Sequence, residues 1–129
     1  MKANFFGAHG NVVSGAISLT AGDGTGTLLE VTGANLVVSA TLDRGDRTMI
    51  TVHNGTVVPL QGAQDLDGTM TPVSLPAGAA ATIELPDERI HRLHLQLFPN
   101  GPEFPDVVTL LVSAEHGSIA GQAFVSAID

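Results

Sequence analysis

No stretch of ten or more residues in this chain repeats its apolar positions with the 3.6-residue period of a helix. Short runs of β-branched and aliphatic residues recur instead between Gly, Pro, Asn and Asp, the punctuation of a sandwich or barrel. The pattern predicts strands near 11–20, 27–33, 36–42, 47–53, 56–61, 69–75, 80–85, 91–98, 106–114 and 118–126. The clearest hairpin joins 36–42 to 47–53, where Leu36, Val38, Ala40 and Leu42 alternate with Val37, Ser39 and Thr41. Asp43-Arg44-Gly45-Asp46 supplies its polar turn. A second hairpin joins 106–114 to 118–126 through Glu115-His116-Gly117, and Leu75-Pro76-Ala77-Gly78 makes another turn.

This reading gives an all-β chain, an antiparallel β-sandwich of Ig-like or jelly-roll type. There is no internal repeat and no linker. At 129 residues the chain is about one ordinary domain, divided into an N-terminal arm at 1–10 and a single sandwich at 11–129. The arm holds Phe5 and Phe6 beside glycines, two of only five Phe residues. Those rings either fold back on the sandwich or lie on a neighbouring subunit, and the second role makes them the candidate contact residues.

Charge narrows the function classes. Five Lys or Arg against 13 Asp or Glu leave a net charge of −8, which repels nucleic-acid backbones and anionic membrane surfaces. Charged residues make up only 14% of the chain, against roughly 25% in typical domains. A surface so poor in charge suits either a Gly/Ala/Val-rich sandwich with a bland surface or a protein that hides part of itself in an oligomer or lattice. The absence of Cys excludes disulfides, thiolate metal sites and thiol catalysis. Gly7, His9, Gly10 and Asn11 interrupt the first residues too early for a signal peptide, and no apolar run reaches about 18 residues, so we expect neither export by the general route nor a spanning helix.

His91 shares strand parity with Leu93, Leu95 and Leu97, the expected core face, whereas His94 goes with Arg92 and Gln96. One ion does not collect both histidines from a regular strand, so no metal site is assigned to the pair. His9, His53 and His116 have no carboxylate at ligand spacing. Asp65-Leu66-Asp67-Gly68-Thr69 resembles the opening of a calcium loop, and Asp23-Gly24-Thr25-Gly26-Thr27 is similar. Neither is followed by the closing bidentate Glu, so both read as Asp/Gly turns, with a weak calcium site shared between loops left open. No phosphate cradle and no G-x-S-x-G elbow is present, and we expect no enzyme. Arg44-Gly45-Asp46 spells a receptor-read tripeptide and Asn54-Gly55-Thr56 a glycosylation acceptor, but each also reads as a plain turn. With neither Trp nor Tyr, the chain lacks the rings on which sugar-binding sandwiches and antibody-like paratopes rely.

Two families are resembled. Ile50-Thr51-Val52-His53-Asn54-Gly55, Leu75-Pro76-Ala77-Gly78 and Thr82-Ile83-Glu84-Leu85 look like the strand-turn-strand pattern of bacterial and viral Ig-like domains. A short, acidic, Cys-free, Gly/Ala/Thr-rich β domain with an apolar arm resembles bacteriophage head decoration (cement) proteins. That resemblance implies a capsid-stabilising protein of the virion surface, assembled in the host cytoplasm. It would bind the major capsid protein at three-fold or quasi-three-fold positions as a homo-oligomer, a trimer first, with no cofactor, nucleic acid or membrane partner. From Leu75 to Val125 the order is also similar to the cupredoxin-like copper chaperones of the PCuAC type. This second resemblance implies a small-ligand or copper carrier as the alternative, with Met70 and His91 at two metal-holding positions, although Leu93 stands where that family places a Met.

Overall fold

The computed structural model describes residues 2–9, 12–32, 37–85, 90–100, 106–115 and 117–127, and side chains are described for 16–31, 37–85, 90–100, 107–115 and 117–125. Among these residues there are eleven strands and no helix. In chain order they are β1 (Lys2–His9), β2 (Val12–Thr20), β3 (Gly24–Thr32), β4 (Val37–Arg44), β5 (Thr48–Asn54) and β6 (Leu60–Leu66). Then follow β7 (Thr69–Leu75), β8 (Ala80–Leu85), β9 (His91–Pro99), β10 (Asp106–Glu115) and β11 (Ser118–Ala127). Every pairing is antiparallel.

The hydrogen-bonded path runs β7-β6-β9-β10-β11-β2-β3-β4-β5-β8, and it folds on itself in β2. β1 lines β2 from Val12 to Ser18. The opposite edge of β2 is therefore shared: residues 12–14 pair with β3 and residues 16–20 with β11. A strand that serves two sheets in this way makes the corner of a sandwich. One layer is β7-β6-β9-β10-β11-β2 and the other β2-β3-β4-β5-β8, and β11 touches β3 and β4 across them.

The alternation seen in the sequence sets which side of each strand is buried. In β4, Val38, Ala40 and Leu42 face inward; in β5, Ile50 and Val52 do; in β9, Leu93, Leu95 and Leu97 do. They meet Leu19, Leu28, Leu29, Leu110 and Ile119 in one core shared by both layers. Each Val, Leu or Ile side chain among them, fully buried, contributes about 1.5–3 kcal/mol to folding.

Three expectations shift. Residues 2–9, read as an arm, form β1, in register with β2 from Lys2↔Ser18 to His9↔Val12. The aromatic and glycine content of the segment hides its strand pattern from the sequence. The strand expected at 56–61 begins only at Leu60 and continues to Leu66, because Asn54 and Thr56 commit the preceding backbone to a corner. The turn after β4 also starts later than expected, since the strand runs on through Arg44. Arg44 is buried, so the Arg44-Gly45-Asp46 tripeptide is not displayed.

In the turn between β2 and β3, Gly22 and Gly24 take positive φ, and Asp23 accepts hydrogen bonds at Oδ2 from the Thr20 N–H (2.8 Å) and hydroxyl (3.1 Å). The Thr20 backbone N–H, first among these influences, holds the Asp23 carboxyl below the usual carboxylate range. Because the folded pKa is depressed, the turn's support is complete above the ordinary carboxylate range and is lost as pH falls through the lowered value. An NMR titration is expected to show the Asp23 carboxyl titrating below the free amino acid, with the Thr20 amide shift following it.

Candidate interaction face

The outward side of the first layer is read from the strand registers. Asp65, His94, Leu111, Gln122 and Ala16 lie in one row across β6, β9, β10, β11 and β2. Arg92, Ser113, Ala120 and Ser18 form the row on one side of it, and Ala63, Gln96, Thr109 and Phe124 the row on the other. Phe98 follows, beside Gln61. Small side chains in the middle of these rows leave a shallow concavity of about 770 Å³, with Arg92, His94 and Leu111 among the residues around it. Arg92 is held by a hydrogen bond to Ser113 Oγ at 3.0 Å.

Leu111, Phe98 and Phe124 are each 39% exposed on this side. The signal for them is a break in strand parity. Leu110 and Val112 face inward, so the leucine between them faces water; Ala123 is buried, so Phe124 is turned out. The sequence analysis gives strands at 91–98, 106–114 and 118–126 and assigns no side to Phe98, Leu111 or Phe124.

At one end of the face lies a polar device that the sequence reading also missed. β6 and β7 are joined by the two-residue turn Asp67-Gly68, both at positive φ (54° and 91°), the type I′ geometry that Asp-Gly favours. So Asp65-Leu66-Asp67-Gly68-Thr69 is a hairpin turn, with Asp65 Oδ1 accepting the Gly68 N–H at 2.9 Å. Asp67 reaches across to β9: Oδ2 lies 2.6 Å from His91 Nδ1, and Oδ1 accepts the Arg92 N–H at 2.7 Å. With Asp67 ionised, Nδ1 carries the imidazole proton and donates it. His91 Nε2 is buried without a hydrogen-bond partner among the described residues.

The pair lends itself to an asymmetric test. Asp67→Gly keeps the backbone geometry but strands both ring nitrogens in the core, and is expected to cost about 2 kcal/mol. His91→Leu removes the buried polar ring, while the one-third-exposed Asp67 carboxylate turns to water; the expected cost is within about 1 kcal/mol. Chemical denaturation of the two variants measures the difference.

Other candidates fall apart from one another. His91 is buried and His94 exposed, on opposite faces of β9. Met70 pairs in register with Asp65, which pairs with His94, so it shares the outward side and is 64% exposed. His91 and Met70, the two positions of the copper-carrier alternative, therefore do not converge. Among the described residues no group of three or more His, Cys, Asp or Glu is placed to hold a metal ion. Asn54, in the glycosylation triplet, is fully buried with its amide in hydrogen bonds. Phe5 lies in β1 opposite Gly15, and the side chains of Phe5 and Phe6 fall outside the described residues. In comparisons with known proteins, no family model, no curated protein and no solved structure matches this chain.

Proposed function

We propose that this chain is a structural assembly protein of the capsid-decoration class, which docks on the major capsid protein of an assembled shell through the outward side of β6, β9, β10, β11 and β2. The observation that carries the reading is the exposed apolar set Leu111, Phe98 and Phe124 on one sheet face, with Leu111 at a shallow concavity, in a chain whose charged residues are scarce. Apolar anchors in a water-excluding patch dominate protein–protein docking energies. Each Å² covered contributes roughly 25 cal/mol, repeated at every junction of a lattice. A protein that binds only the assembled shell stabilises it by mass action.

The test is the double variant Leu111→Glu/Phe124→Glu. Both side chains already face water, so its thermal midpoint should stay near that of the parent chain. Its co-sedimentation with the particle should weaken by at least about tenfold. Undiminished co-sedimentation would rule this face out.

A further inference from the structure

An unpaired sheet edge is a row of N–H and C=O groups that another chain can complete. Among the described residues three edges have no strand partner: the far side of β1, and β7 and β8 at the two ends of the hydrogen-bonded path. Two of them carry a device against pairing. β1 is bulged between Phe5 and Gly7, and β7 has Pro72 in mid-strand, whose missing N–H interrupts any ladder. β8 has neither. Its six residues keep unbroken register with β5, from Thr48↔Leu85 to His53↔Ala80.

The charge pattern marks the same place. From Thr69 to Ile83 there is no charged residue, although ten of these fifteen positions are exposed and only Leu75 is buried. Glu84, the sole charge on β8, has Arg47 of its own chain at 3.6 Å. Edge strands in solitary proteins are usually guarded by charge, Pro or a bulge, and this edge is guarded by almost nothing.

We propose that two copies of this chain join edge to edge through β8, antiparallel about a two-fold axis, so that their second layers become one continuous sheet. Charge argues for a second copy as the occupant. Two chains of net charge −8 repel unless they meet where charge is missing, and Thr69–Ile83 is such a place. A basic partner would instead be drawn to the acidic surface and would find nothing to read on this strand. The two-fold axis makes the strand its own complement. Centred on Thr82, the pairing sets Ala81 against Ile83 of the second copy and Ala80 against Glu84, so no like charges are opposed. Ala81 and Ile83, half-buried at the margin of the core, are then covered. This pair is two-fold where the resemblance to decoration proteins implies a trimer. It leaves Leu111 and Phe124 free, so it stands or falls apart from the function proposed above.

Sedimentation equilibrium of the full chain over a roughly hundredfold concentration range is the test. The mass is expected to rise from 13.2 kDa to twice that value. Thr82→Lys and Ala80→Lys, both at exposed positions of β8, should each weaken the pair by at least about tenfold with an unchanged far-UV spectrum. Thr71→Lys, equally exposed on β7, should leave it intact. A parent chain that stays monomeric or goes to a trimer overturns the proposal, as does a Thr71→Lys loss equal to that of Thr82→Lys. Amide exchange of the parent chain gives a reading that needs no variant: the β8 amides not bonded to β5 should gain protection as the dimer forms. A dimer without that protection also overturns the proposal.

Discussion

Replacing Asn54 with Ala is expected to lower the stability of the fold by about 3 kcal/mol, one of the largest single-residue effects outside the apolar core. Asn54 closes β5 and is fully buried. Its Nδ2 donates to the Leu75 carbonyl at 2.9 Å and the Val58 carbonyl at 3.1 Å, and its Oδ1 accepts the Thr56 N–H at 2.9 Å. Its backbone adds two more bonds, from its N–H to Ala79 and to its carbonyl from Gly78. One side chain thus ties the end of β5, in one layer, to the end of β7, in the other. Alanine takes from the Leu75 and Val58 carbonyls and from the Thr56 N–H the partner that Asn54 gives them, each loss costing about 1–3 kcal/mol unless water enters. The melting temperature should fall by roughly 10 °C in a scanning calorimeter. Asn54→Asp should be at least as damaging at neutral pH, because a carboxylate there faces the Leu75 and Val58 carbonyls. Burial and those carbonyls raise the new carboxyl's folded pKa. The deficit should therefore shrink as pH falls through that raised value and the group gains a proton to donate. A deficit independent of pH would contradict this reading of the corner.

The second large effect is expected from Gly62→Ala, a substitution that adds a single methyl group. Gly62 pairs with Leu97 across β6 and β9. A Cβ at this position would lie 1.8 Å from the Gln96 carbonyl oxygen and 3.2 Å from Leu97 Cα. Both are backbone atoms, so no side-chain rotation relieves the overlap; the strands must part. We expect a loss of about 3 kcal/mol, at the upper end of ordinary overpacking. In amide exchange, loss of protection should concentrate in β6 and β7, whose strand pairing to the first layer, among the described residues, runs through the β6–β9 ladder. Protection lost evenly over all strands would place the damage elsewhere.

The contrast between legible and hidden features follows from distance along the chain. β4, β5 and β9 could be read directly, because alternation is local: Val38-Ala40-Leu42 and Leu93-Leu95-Leu97 show their inward parity within a few residues. The same parity placed His91 inward and His94 outward. Its partner Asp67 stands 24 residues away and meets it only through the β6–β9 register, which no local pattern announces. The start of β6 was misplaced for a similar reason. Val57 and Val58 look like strand residues, but Thr56 exchanges hydrogen bonds with Val37, 19 residues earlier, and turns the chain there. The outward Leu111 and Phe124 were visible as breaks in parity. Whether such a residue is covered depends on what packs over that layer, and among the described residues no strand does.

The proposed role rests on this chain belonging to a larger particle, and mass decides it. The complex that holds the chain, isolated under native conditions and weighed by sedimentation or native mass spectrometry, should be a multi-subunit shell carrying many copies of the chain. Recovery only as a 13.2 kDa monomer, or as its dimer with no larger assembly, would contradict an assembly protein of the capsid-decoration class.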